Sequence, residues 1–125
     1  MLLDTCALIW LAIGGGQLSS RILQAIDECE TVAVSSISSF EIAHAYKKGK
    51  LELPCDPEKW FHDVLTHHDI LEIKLDRTIA TASTKLPDHH KDPCDRFIIA
   101  TAILNNLPVV TKDRTFENYS ITIYS

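Results

Sequence analysis

Short apolar runs alternate with longer segments of helical periodicity along this chain. The strand-like runs are apolar or β-branched and cover residues 1–5, 31–34, 70–73, 108–111 and 121–124. Apolar positions at helical spacing predict helices over residues 6–12, 19–29, 57–67, 76–86 and 92–105, and one more from the serines at 35–39 to residue 48. Strands and helices therefore alternate from one end to the other.

Several of these boundaries carry their own signals. Asp56-Pro57 and Asp92-Pro93 each combine an N-cap residue with proline at the first helical position. Three glycines at 14–16 interrupt the first helical pattern.

Strands separated by helices are typical of a parallel sheet covered on both faces. We therefore predict an α/β fold, a three-layer α/β/α sandwich around a mostly parallel sheet of about five strands. The 125 residues suffice for one domain, residues 1–125, with its own core. The apolar run at 7–13 is short of the about 20 residues that span a membrane, so we expect a cytoplasmic protein with no membrane segment.

The charge balance limits the possible substrates. There are 12 basic and 17 acidic residues, a net charge of −5, so the chain lacks the basic field of most nucleic-acid binders. A polyphosphate substrate would need local basic side chains or bound cations. The four cysteines form no C-x-x-C pair, and they are expected to be reduced thiols rather than zinc ligands or disulfides.

Two aspartates follow predicted strands. Asp4 ends the first strand and Asp113 lies just beyond the fourth, and ligands bind outside the carboxyl ends of such strands. Both side chains are therefore expected in one crevice, although Asp113 could also be an ordinary turn residue. Asp4 is flanked by apolar residues, where a carboxylate is costly unless a cation pairs with it.

Two further acids lie on inward helical faces. Asp95 shares a stripe with Ile98 and Ile99, and Glu41 lies on a largely apolar face. Each has a second interpretation: Asp95 could be the third residue of a helix capped by Asp92, and Glu41 could mark the edge of the core.

Together, these four acids without a matching buried base indicate a site for a divalent cation, Mg²⁺ or Mn²⁺. If they converge, mutual repulsion should raise the pKa of one carboxylate in the metal-free protein.

Three stretches resemble PIN-domain toxins of the VapC type: MLLDTCALIWL, SSFEIAHAYKKGKLELP and DPCDRFIIATAILNNLPVVTKDRTF. The resemblance implies a PIN fold, a metal-dependent endoribonuclease that cleaves RNA, and a cognate VapB-type antitoxin. Its acidic site falls on Asp4, Glu41, Asp95 and Asp113. Asp92 also matches a favoured position, which capping alone would explain. Cys6 departs from the family, whose members often carry histidine there.

Basic and apolar side chains suggest contacts with substrate and partners. Arg96, Lys112 and Arg114 could position phosphates, or they could be solvated surface charges. Apolar side chains on the helices either belong to the core or form an interface, and the resemblance favours a homodimer that accepts an antitoxin segment in a groove. These side chains are Trp10, Leu11, Ile13, Trp60 and Phe61.

Two other functions remain open at this point. The first is a non-catalytic domain of the same fold that acts as a binding or regulatory module. The second is an aspartyl phosphotransfer domain with Asp4 as nucleophile, which is disfavoured because Thr5 and Cys6 stand where a second acid is usual.

Overall fold

The computed structural model describes all of residues 1–125 and contains a five-stranded parallel sheet in the order β3-β2-β1-β4-β5. The strands are β1 Leu2–Leu3, β2 Ala33–Ser35, β3 Leu71–Ile73, β4 Val109–Val110 and β5 Ile123–Tyr124. Every predicted strand is present, and the predicted α/β fold with a parallel sheet is confirmed.

Six helices connect and cover the strands. They are α1 Thr5–Ala12, α2 Ser20–Glu28, α3 Ile37–Lys47, α4 Pro57–His68, α5 Arg77–Ser83 and α6 Pro93–Asn105. A 3-10 helix over Arg114–Asn118, which the sequence pattern did not predict, lies between β4 and β5. No helix has the length and apolar character needed to cross a bilayer.

The caps explain most helix boundaries. Asp56 accepts a hydrogen bond from the Glu58 N–H at 3.1 Å, and Asp92 accepts one from the Cys94 N–H at 2.9 Å. The predicted end of α5 is wrong by three residues, since the helix stops at Ser83 rather than at residue 86.

The sheet separates two apolar clusters because neighbouring residues of a strand point to opposite faces. Leu3 packs in the larger cluster with α1 to α4, whereas Leu2 packs in the smaller cluster with α6. Trp60 and Phe61 are buried in the larger cluster, so of the two interpretations of these side chains the structure supports the core.

The connections place a crevice at the centre of the sheet. From β1 the chain runs through β2 to β3 on one side, then crosses to β4 and β5 on the other. Leu3 pairs with Val110, so Asp4 and Thr111 leave neighbouring strands side by side. Such a change of direction is where ligands bind in open parallel sheets.

Candidate metal centre

Asp4 lies at the bottom of this crevice, between β1 and α1. Its Oδ1 accepts a hydrogen bond from the Ala7 N–H at 2.8 Å, which makes it the N-cap of α1. The residue is only 7% exposed. Burial raises the pKa of Asp4, although hydrogen bonds from Thr111 and Ala7 favour the ionised form. The turn from strand to helix thus fixes a carboxylate at the edge of the sheet.

Glu41 reaches the crevice from α3, where Thr5 holds it. The Thr5 hydroxyl donates to Glu41 Oε1 at 2.6 Å. The Thr5 hydroxyl oxygen also lies 2.8 Å from the Ser38 hydroxyl, which is left to act as the donor. Burial raises the pKa of Glu41, and the charges of Asp92 and Asp4 act in the same direction.

Asp95 lies in the first turn of α6, among other acids. One oxygen each of Glu41, Asp92 and Asp95 lies within 4.8 Å of the others. Burial, followed by the charges of Asp92 and Glu41, raises the pKa of Asp95 to about 7, while His90 acts in the opposite direction. Crowding of like charges contributes to this raised pKa, as the sequence predicts, but burial is its largest cause.

Asp113 approaches from the loop after β4. Its Oδ1 accepts from the Thr115 N–H at 2.9 Å, and its Oδ2 lies 2.9 Å from His90 Nε2. Burial disfavours its charged form, but hydrogen bonds from Thr115 and His90 outweigh that effect and lower the pKa of Asp113. Asp113 is therefore both a turn residue and part of the acidic cluster.

The four predicted acids meet at one cavity of about 190 Å³. Its lining consists of Asp4, Thr5, Cys6, Trp10, Glu41, Asp95, Lys112 and Asp113. Asp92 lies beside the cavity rather than in its lining, so its place next to Glu41 and Asp95 is compatible with both a cap and an outlying ligand.

The donor set fits a hard divalent cation. All the donors on the lining acids are carboxylate oxygens, and the one basic side chain that lines the cavity is Lys112. Protons held on the carboxylates relieve part of the repulsion, and a cation would replace them.

The three basic residues predicted to contact phosphate have different surroundings. Lys112 lines the cavity, and Arg114 is an open surface side chain, 89% exposed. Arg96 requires a correction: its guanidinium donates four hydrogen bonds to backbone carbonyls of residues 83–90 and is only 12% exposed. Because its donors are occupied, Arg96 holds a loop and is not free for a phosphate.

His90 is the site residue that sequence reasoning missed. Its ring lies between Asp95 and Asp113. The signal available was its position two residues before Asp92, in the loop that enters α6. Thr5 was likewise overlooked, although it directly follows Asp4.

Comparison with known proteins identifies the family of this chain. A PIN-domain family model matches residues 1–121. Ribonuclease VapC22 of Mycobacterium tuberculosis is 30% identical over 120 residues, which cover 95% of this chain and 91% of that protein. The chain therefore belongs to the PIN-domain family and is a homologue of a VapC ribonuclease.

Solved structures share the fold at lower identity. The crystal structure of FitAcB from Neisseria gonorrhoeae aligns with a TM-score of 0.67 and 22% identity over 99% of this chain and 96% of that chain. VapBC2 from Rickettsia felis, bound to a DNA fragment from its promoter, aligns with a TM-score of 0.70 and 16% identity over 99% and 98% of the two chains.

The raised pKa of Asp95 predicts how the stability of the metal-free protein depends on pH. The folded state keeps a proton that the unfolded chain releases between the ordinary pKa of 3.8 and about 7. The stability that this proton contributes is complete below the lower value and is lost as the pH rises through the upper one. Asp95→Asn removes this titration, so calorimetry at about pH 5 and about pH 7.5 should show the variant gaining in melting temperature relative to wild type at the higher pH.

Asp27→Asn, at an exposed position of α2, is the control for effects common to any such replacement. An equal difference in melting temperature between wild type and Asp95→Asn at both pH values would contradict the assignment.

Proposed function

We propose that this protein is a metal-dependent endoribonuclease of the VapC type that cleaves RNA phosphodiester bonds. The observation that carries the proposal is the convergence of four carboxylates from four separate segments on one cavity. Membership of the PIN-domain family and homology to Ribonuclease VapC22 support the same activity.

Asp4, Glu41, Asp95 and Asp113 are the proposed catalytic residues and would hold Mg²⁺, with Mn²⁺ as a substitute. When bound, the ion supplies Lewis acidity that activates a water and stabilises the leaving oxygen of a phosphodiester. It also offsets the repulsion between RNA and a chain of net charge −5.

The chain's own residues position the reacting groups. The Ala7 N–H orients the carboxylate of Asp4, and the Thr5 hydroxyl orients that of Glu41. Lys112 at the cavity is the proposed phosphate contact, and Arg114 on the neighbouring surface contributes long-range attraction.

The other two functions have less support. A non-catalytic module would have no need for all four acids at one cavity. A phosphotransfer domain needs an accessible nucleophile, whereas Asp4 is 7% exposed and one of its oxygens is engaged by the Ala7 N–H.

The proposed partners are a VapB-type antitoxin and a second copy of the chain. The solved structures that share the fold include a VapBC complex. Large apolar side chains remain exposed at Ile13, Phe40 and Leu71. A groove of about 700 Å³ between α3 and α4, beside Phe40, is the proposed seat of an antitoxin segment.

The central test is a cleavage assay on total cellular RNA with purified protein. Cleavage should require Mg²⁺ or Mn²⁺ and stop on addition of EDTA, because the carboxylates hold the ion. Asp4→Asn and Asp95→Asn should each lower the rate by about 100-fold or more, since each removes a charged ligand at nearly constant volume.

Asp27→Asn should cleave RNA as the wild type does, because Asp27 is exposed on α2. Undiminished cleavage by metal-stripped protein would overturn the metal mechanism.

Asp92→Asn should retain most activity, because asparagine is about as good an N-cap as aspartate. If Asp92→Asn were as inactive as Asp95→Asn, Asp92 would instead be a metal ligand.

The self-association proposal predicts a dimer in solution. Light scattering at micromolar concentration should report twice the 14.0 kDa mass of the chain, because an exposed apolar side chain such as Ile13 would be covered. A monomer throughout the micromolar range would contradict it.

A further inference from the structure

Both the backbone and the ring of His90 make contacts with neighbouring residues, although His90 lies in a loop. Its backbone N–H donates to the Tyr119 hydroxyl at 2.8 Å, and its carbonyl accepts from Arg96 Nη1 at 3.0 Å. Its Nδ1 accepts from the Asp92 N–H at 3.2 Å, and its ring meets Phe116 edge-on, with centroids 5.7 Å apart. A loop side chain with this many partners is fixed in one orientation.

The loop itself is built around Arg96. Beyond the His90 carbonyl, the guanidinium donates to the carbonyls of Ser83, Leu86 and Pro87 at 2.8 to 3.0 Å. A planar guanidinium with several donors in a rigid fork suits this purpose, because one side chain can fix a whole turn of backbone. The ends of the loop are thus attached to α6, the helix that carries Asp95.

The hydrogen-bond pattern sets the chemical role of the His90 ring. Because Nδ1 faces the Asp92 N–H, Nδ1 is an acceptor and the ring proton lies on Nε2. Nε2 lies 2.9 Å from Asp113 Oδ2 and 3.0 Å from Asp95 Oδ2. The ring therefore donates its N–H to Asp113 and places the same nitrogen against Asp95, which leaves no lone pair for a metal at Nε2.

The two carboxylates depend on this N–H to different degrees. Asp113 is also fixed through its other oxygen by the Thr115 N–H, whereas His90 is the only donor side chain that approaches the carboxylate of Asp95. Without His90, no donor side chain would offset the repulsion that Asp95 meets from Asp92 and Glu41.

We propose that His90 is a positioning residue whose Nε2, hydrogen-bonded to Asp113 and 3.0 Å from Asp95, holds these two carboxylates together and so preassembles the metal site. This inference rests on the proposed function, since it assigns a role toward the cation of the same site. Each carboxylate oxygen has two lone pairs, so an oxygen that accepts from His90 can still face a cation. Partners that orient metal ligands typically contribute about 10- to 100-fold in metal affinity.

The test is the dissociation constant of Mn²⁺, measured on metal-stripped protein from the electron paramagnetic resonance signal of free Mn²⁺. His90→Leu should weaken Mn²⁺ binding at least about tenfold, because the N–H that lies between the two carboxylates is lost. His90→Gln keeps an N–H at similar reach and should bind within about threefold of wild type. His62→Leu, at an exposed histidine of α4 outside this loop, is the control and should bind as wild type does.

Circular dichroism checks that each variant is folded. If His90→Leu fails to fold, His90→Phe takes its place, because it keeps a ring against Phe116 but carries no N–H. Unchanged or tighter Mn²⁺ binding by the folded variant would overturn the proposal. So would His90→Gln binding as weakly as His90→Leu, since the shape of the ring rather than its N–H would then be what matters.

Mn²⁺ binding and RNA cleavage by the wild-type protein distinguish a failure of the proposed role of His90 from a failure of the proposed function. If wild type binds no Mn²⁺ and cleaves no RNA, the proposed function fails and His90 has no ion to position. If wild type binds and cleaves while the His90 variants bind equally well, the role of His90 alone is wrong.

Discussion

Repulsion among carboxylates crowded at the carboxyl edge of β1 and β4 is the constraint on which the rest of the site depends. The fold brings four acids to a cavity of about 190 Å³ whose lining contains a single basic side chain, Lys112. Two like charges 4 Å apart repel by about 4 kcal/mol at an effective dielectric of 20. Such a cluster persists only if something offsets the repulsion.

Several contacts of the surrounding structure offset part of the repulsion among the carboxylates. The Ala7 N–H and the Thr5 hydroxyl each engage one carboxylate, and a hydrogen bond to a charged group contributes about 1.5–3 kcal/mol. His90 places one N–H between Asp95 and Asp113. Burial and the remaining repulsion together raise the pKa of Asp95, so a proton stays where a cation would neutralise more charge. The same features that strain the metal-free site make it receptive to a divalent ion.

Sequence reasoning located the acids because their positions follow from local rules. Asp4 ends a strand-like run, and Asp95 lies on the apolar stripe of a helix whose start Asp92-Pro93 marks. The role of His90 could not be predicted this way, because it depends on a loop whose path is set by hydrogen bonds to the side chain of Arg96. An arginine that binds backbone carbonyls and one that binds phosphate look the same in a sequence.

The burial of Trp60 and Phe61 shows a similar limit. The sequence pattern of α4 predicts which residues share a helix face, but it does not predict whether that face packs on the sheet or is exposed to solvent. In the structure both side chains are less than 10% exposed and lie in the larger apolar cluster.

The most direct test of the proposed metal site is an anomalous difference map from crystals grown with Mn²⁺. We expect one strong peak within direct coordination distance of carboxylate oxygens of both Asp4 and Asp95. A peak remote from these acids, or none at saturating Mn²⁺, would contradict the claim that they form one metal site.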